Sequence, residues 1–342
     1  MGAQGFGHTT NINITTLDVF EGQLYAGTIN PGGGQVWRSG DGTTWQQLSA
    51  PWSPTNTRVL AGQVFGGHLY LGTGGDSGIP TAEIWRTDGL SWTQVVSGGF
   101  GNGDNGGIAQ LTVFSGMLYA VLDCPTTGLE IWRSASGDAG DWSQANDDGF
   151  GSAGTALETT VSVYSDALYV GTGRDGLAEL WRSDDGATWT PVFTDGLGNA
   201  DNKQVRAMAP FSGQLYIGLV NDTTGGEVWR SEDGTAWTRA VAGGLGNPDN
   251  HNPQTFVVLD DMLYLVFGYS VTGAEVWRTA DGLAWERTNG NGWGDSRNAG
   301  GYGTTLFNGR LYVGSLNWMA GGEVWRYGNK LYLPLVLRAY EP

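Results

Sequence analysis

Carboxylates recur through this chain at a fixed period, and a pair of carboxylates is the minimum equipment for acid–base cleavage of a glycosidic bond. Six glutamates, Glu83, Glu130, Glu179, Glu227, Glu275 and Glu323, each stand two residues before the tryptophan of a Trp-Arg pair, and Gln35 takes that place in the first copy. An active site is singular, so near-identical copies argue for a structural role. Other acids are individual: Asp76, Asp123, Asp175, Asp222 and Asp295 fall in segments that differ between copies. Two of them held about 5 to 9 Å apart in a deep cleft would make a glycoside hydrolase or lyase.

A second constellation is rich in amides. Gly99-Phe100-Gly101-Asn102-Gly103-Asp104-Asn105 recurs as Gly196 to Asn202, which contains Asp201, and as Gly244 to Asn250, which contains Asp249. Such segments have two readings. One is turn chemistry, with Gly and Asn in left-handed conformations; the other is a repeated polar pocket for sugar hydroxyls or a Ca²⁺ ion. The Asp spacing of an EF-hand loop is missing, which leaves Ca²⁺ as the weaker alternative to no cofactor at all. Trp293, Trp318 and Tyr269 complete the set: aromatic rings beside carboxylates and amides are what stacking on a sugar requires. His8, His68 and His251 are scattered and Cys124 is the single cysteine, so neither a metal site nor an intrachain disulfide is expected.

The elements that hold these residues follow from a repeat. Trp-Arg occurs at Trp37, Trp85, Trp132, Trp181, Trp229, Trp277 and Trp325, with spacings of 48, 47, 49, 48, 48 and 48 residues. That period suits one four-stranded propeller blade. Leu-Tyr recurs in step at Leu24, Leu69, Leu118, Leu168, Leu215, Leu263 and Leu311. The runs around these pairs are short, rich in β-branched and aromatic residues and bounded by Gly, Asn and Asp, which is a strand signal. The expected fold is all-β: a seven-bladed β-propeller of four-stranded antiparallel blades, about 48 residues per blade, occupying residues 1–342 as a single domain. Approximate blades are 1–52, 53–99, 100–148, 149–196, 197–244, 245–292 and 293–342, with 329–342 either the last outer strand or a tail. In the fourth, strands a to d are expected at Thr159–Tyr164, Leu168–Thr172, Ala178–Arg182 and Thr188–Phe193. Strand alternation puts the Glu and Trp of strand c on one face and the Arg on the other. Each Glu is therefore expected to pair with an Arg of the neighbouring blade.

The turn after strand c brings a family into view. Ser39-Gly40-Asp41-Gly42-Thr43-Thr44-Trp45, with Ser183 to Trp189, Ser231 to Trp237 and Thr279 to Trp285, resembles the Asp-box of BNR-type, sialidase-like seven-bladed propellers of the secreted bacterial type. The segments are one residue shorter than the commonest Ser-x-Asp-x-Gly-x-x-Trp form. The resemblance implies blade construction: Asp41, Asp185, Asp233 and Asp281 accept backbone amides across the c–d hairpin, and Gly supplies a positive φ. The strand-c tryptophans are structural on the same reading. No Arg-Ile-Pro segment and no arginine triad accompany the boxes, so the resemblance carries no catalytic residue.

Acids outnumber bases 34 to 17, for a formal charge of −17. That surface repels phosphates and anionic membrane, which excludes a nucleic-acid role. No run of apolar residues is long enough to span a membrane. Residues 1–10 lack the regions of a signal peptide; the expectation is a secreted or cell-surface protein whose leader is absent from this chain, a cytoplasmic one being the alternative. In a four-stranded meander the b–c and d–a loops share one face, and here they carry nearly all the variation, which marks that face for binding. The expected function is a non-catalytic extracellular binding module for carbohydrate or a cell-surface partner. Its candidate residues are Trp293, Trp318, Tyr269, Asp295, Asp104, Asn105, Asp201, Asn202, Asp249 and Asn250. A hydrolase or lyase and a structural or adhesive surface protein stay open, as do the ligand and the oligomeric state.

Overall fold

The computed structural model describes residues 4–75, 81–124, 126–151, 156–174 and 176–327. Each tryptophan period folds into one antiparallel meander. In the fourth, Ala156–Tyr164 pairs with Ala167–Arg174, then Leu177–Ser183, then Thr190–Phe193. The described strands form seven consecutive meanders, six of four strands and a last of three. The strand or tail expected at 329–342 lies outside the described residues. No helix among them is long and apolar enough to cross a membrane.

Local chemistry sets the hairpins. Between strands a and b the chain turns in two residues, as at Ser165 and Asp166, whose φ values are 47° and 57°. Two positive φ values make the turn whose twist suits a β-ribbon, and Gly, Ser, Asp and Asn supply them in every blade but the first, where Glu21 precedes Gly22. The first strands of successive meanders stand side by side around an axis. Asn13 pairs with Leu316 of the last meander, and the Asn317 amide donates to Ile12 O at 2.8 Å, so the ring closes on itself.

Adjacent blades are locked by the Leu-Tyr pair and the c–d turn. The hydroxyls of Tyr70, Tyr119, Tyr169 and Tyr216 rest against Gly137, Gly186, Gly234 and Gly282 of the next blade, and Tyr312 closes the ring against Gly42. A Cβ at any of these glycines would collide with the hydroxyl. In the turn itself Asp41 Oδ1 accepts the amides of Thr43 and Thr44 at 2.7 Å each. Asp185, Asp233 and Asp281 repeat the arrangement. The amide bonds hold all four carboxyls below the usual carboxylate range.

The expected Glu–Arg pairing between blades is corrected. Glu130 accepts the indole N–H of Trp132 at 2.9 Å and the side-chain amides of Asn105 and Asn102 at 2.8 and 2.7 Å, all within its own repeat. Glu227 and Glu275 accept the same set from Trp229 with Asn202 and from Trp277 with Asn250. Because Glu and Trp share a face, the indole reaches the carboxylate first and the loop asparagine joins it; Glu227 and Glu275 do pair with arginines, Arg239 at 3.1 Å and Arg287 at 3.3 Å, but these lie on the fourth strand of the same blade. The arginines do cross between blades, but to the c–d turn: Arg38 donates to Gly89 O, Arg133 to Asp185 O, and Arg86 pairs with Asp138 at 2.6 Å.

Candidate functional site

The d–a loops are part of the packing. Phe6, Phe100, Phe150, Leu197, Leu245 and Trp293 occupy one position in them, with φ between 56° and 60°. A large residue in this left-handed region costs about 1–2 kcal/mol, and the aromatic members recover it by stacking. Phe150 lies 4.2 Å from Trp181, Phe100 4.5 Å from Trp132 and Trp293 5.4 Å from Trp325, all near-parallel. Trp52 covers Trp85 in the second blade. Trp293 is 8% exposed, which corrects its reading as a platform for a ligand: it is core.

Asn105, Asn202 and Asn250 are also corrected. All three are fully buried, and each donates to a strand-c glutamate and to the carbonyl of Gly99, Gly196 or Gly244. They brace the loop from inside. Asp104, Asp201 and Asp249 sit at the loop edge with their amides bonded to Asn102, Asn199 and Asn247; the Asp104 carboxylate accepts from Thr126 at 2.7 Å. Asp295 is clasped by Arg297 at 2.6 Å. Among the described residues no group of three or more His, Cys, Asp or Glu could hold a metal ion, so the loops offer Ca²⁺ no cluster there.

The structure builds its site on the axis. Every first strand carries an irregularity at the same register: single residues at Thr15, Leu60, Ala109, Arg206 and Gln254, and two residues at Glu158–Thr159 and Tyr302–Gly303. A β-bulge inserts one residue and re-aims its side chain. Thr15, Leu60, Ala109, Thr159, Arg206, Gln254 and Tyr302 all line one cavity of about 570 Å³ on the face of the d–a and b–c loops. Asn13, Arg58, Gln110 and Thr255 fill in between them. The volume is that of a small-ligand pocket.

Polarity and charge give the cavity its character. Asn13 Oδ1, Thr159 Oγ1 and Gln254 Oε1 are buried and make no hydrogen bond. These three atoms are closed off from the open space, Gln254 Oε1 lying beside Gly268; what the cavity offers a ligand is a lining of amide, hydroxyl and guanidinium residues. Arg58 and Arg206 are the charged groups among its described lining residues. At the mouth Tyr302 meets Tyr269 edge-on at 5.9 Å, and Tyr269 lies 6.2 Å from Trp318, which is 54% exposed. Of the aromatic residues singled out from sequence, then, Tyr269 and Trp318 come together and Trp293 does not join them.

The five individual acids do not assemble into a pair. Asp76 and Asp175 lie outside the described residues, as does the side chain of Asp123. Asp222 is exposed and 3.8 Å from His251, and neither it nor Asp295 lines the cavity. The bulge residues escaped sequence reading because they share no residue type. The available signal is a break in alternation, as in Ile14-Thr15-Thr16-Leu17, where two small polar residues stand between buried ones.

No family model matches the sequence, and neither does any curated protein. Solved structures do match. A streptogramin B lyase superposes with a TM-score of 0.69 at 10% identity, over 95% of this chain and 97% of that one. Virginiamycin B lyase from Staphylococcus aureus gives 0.67 at 11%, over 94% and 97%. The WD40 β-propeller domain of Doa1 gives 0.61 at 13%, over 96% and 97%. Identities this low show the fold alone: the chain is an all-β propeller of four-stranded antiparallel sheets.

Proposed function

We propose that this propeller is a non-catalytic, extracellular binding module that takes a carbohydrate into its axial cavity. The observation that carries the reading is a cavity of about 570 Å³ whose lining residues Asn13, Arg58, Gln110, Thr159, Arg206 and Gln254 carry amide, hydroxyl and guanidinium atoms. A sugar hydroxyl both donates and accepts, so one ring can meet several such atoms at once. The two guanidinium groups add donors, and Tyr302 and Tyr269 give an apolar face against which a ring stacks. The seven bulges place unlike side chains at like positions, so the cavity is asymmetric although the scaffold repeats.

The test is a glycan array, run with and without Ca²⁺, followed by calorimetry on the best ligand and an assay for released sugar. Wild type should bind, and Gln254→Ala should weaken binding about tenfold, the size of one good hydrogen bond to a desolvated group, with its melting temperature unchanged. A protein that bound no glycan would refute the proposal; released reducing sugar would turn it into the hydrolase or lyase reading.

A further inference from the structure

We infer that the ligand is an oligosaccharide rather than a single sugar: its terminal residue fills the axial cavity and the next one stacks outside, on Trp318. The inference rests on the carbohydrate reading of the cavity and deepens it. It begins with a departure in the sixth blade. In four blades the residue that follows strand b, Asn30, Gly75, Asn221 or Asn317, gives its amide to the carbonyl just before the next first strand, that of Thr57, Gly106, His251 or Ile12. In the sixth blade Ser270 makes that bond, to Ala299 O at 2.9 Å. Tyr269 is thus an extra residue, inserted between strand Met262–Gly268 and the position that the repeat occupies elsewhere.

Tyr269 takes φ +57° to fit there. Left-handed backbone is costly for a residue with a bulky side chain. The six large left-handed residues of the d–a loops recur at one position, and the aromatic ones stack on a core tryptophan. Tyr269 occurs once, and its ring goes to the mouth of the cavity, against Tyr302 on one side and Trp318 on the other. Singular strain at the rim of a cavity is where ligand clamps are found.

Trp318 carries the track outward. It stands one residue after Asn317, a place that Asp222 and Pro31 hold in the fifth and first blades, and its ring is more than half exposed. Met319 beside it and Val271, two residues beyond Tyr269, are 77% and 83% exposed. Three consecutive aromatic rings therefore lead from the cavity wall to solvent in steps of 5.9 and 6.2 Å, flanked by apolar side chains. A single sugar held in the cavity would use the inner end of this path alone. A chain uses all of it.

The experiment takes the best glycan from the array and measures, by calorimetry, its terminal monosaccharide, disaccharide and trisaccharide against wild type, Trp318→Ala, Tyr269→Gly and Gln254→Ala. Wild type should bind the disaccharide at least about tenfold more tightly than the monosaccharide, one aromatic contact's worth. Trp318→Ala should erase that gain and leave monosaccharide affinity unchanged. Tyr269→Gly should weaken every length without lowering the melting temperature, because glycine accepts this backbone freely; a tyrosine with only a structural role would lower it. Equal binding of all three lengths by wild type, or equal loss for all three in Trp318→Ala, overturns the inference. In that event Gln254→Ala still reports on the cavity. If no length binds, the cavity reading fails and takes the track with it.

Discussion

Asp18 gives the sharpest test of how this ring is assembled. It lies on the first strand of blade one, and its carboxylate fills the space that Gly62 leaves open on the first strand of blade two; a Cβ on Gly62 would strike it. The other blades carry Leu17, Leu111, Val161, Met208, Phe256 and Thr304 at the register of Gly62. Thr16 Oγ1 donates to the carboxylate at 2.7 Å, which favours the charged form, but burial outweighs it and pushes the pKa from 3.8 up to about 6. The folded state therefore holds this proton more tightly than the unfolded chain does. Stability from this group is complete below about pH 4, falls as pH rises towards 6, and is lost above it. A difference of about two in pKa, at about 1.4 kcal/mol for each, is worth about 3 kcal/mol. Asp18 retains some exposed area, so this is an upper bound. Asp18→Asn has the same shape, still accepts from Thr16 and cannot ionise. It should be more stable than wild type by up to about 3 kcal/mol at neutral pH and equal to it near pH 4. Urea unfolding of both proteins at intervals between those limits reads the difference directly. A gap that does not change with pH, or a less stable variant at neutral pH, would refute the reasoning.

Other consequences are as direct. Gly186→Ala puts a Cβ into the Tyr119 hydroxyl at φ 70° and should cost about 2–4 kcal/mol by chemical denaturation; Gly40→Ala, with nothing within 4 Å, should cost little. Asn105 Oδ1 is buried without a bond, whereas Asn202 Oδ1 receives the amide of Asn221 at 3.0 Å. Cys124 stands where Asn221 does, so Cys124→Asn should supply the missing donor and raise stability by about 1 kcal/mol, read as an increase in denaturation midpoint. Trp293→Phe should fold and bind glycan as wild type does, because Phe100 and Phe150 already serve that position; a selective loss of binding would restore Trp293 to the site.

Much of the fold was readable because its marks repeat. Trp-Arg and Leu-Tyr each recur in all seven blades and the Asp-containing turn in most of them, and their spacing alone gives strand order and the two faces. The partners of strand c were not readable. Alternation placed Glu130 and Trp132 on one face correctly, but nothing in the spacing says that an asparagine 25 residues earlier reaches the same carboxylate. Trp293 misled for a related reason: its neighbours in sequence are polar, and only the stack on Trp325 shows that its loop turns it inward. Tyr269 was singled out as an aromatic loop residue, yet its insertion leaves no trace in length. Leu263 to Glu275 spans twelve residues, as Leu215 to Glu227 does, because the extra residue in the strand is offset by a tighter turn, closed from Ser270 to Gly273 rather than from Asn221 to Gly225.

These misses share a physical cause, which also explains how a repeating ring can build one site. Side chains that build the blades and join them must match their packing partners, which keeps them alike: Glu with Trp and the left-handed residue against the strand-c tryptophan within a blade, Tyr against Gly between blades. A bulge residue lines the axial cavity, where contact with the next blade is partial: Thr15 donates to Val59 O and Leu60 lies against Gly107. Its backbone is fixed by the repeat while its identity is not, and Thr15, Leu60, Ala109, Thr159, Arg206, Gln254 and Tyr302 differ accordingly. Periodicity is then a sign of structure and its local failure a sign of use. By that criterion the repeated glutamates and the repeated loop strain are structural, although both have the chemistry of a site. The parts that occur once, the set of bulge residues around the axial cavity and the inserted Tyr269 beside Trp318, are where a ligand should be sought.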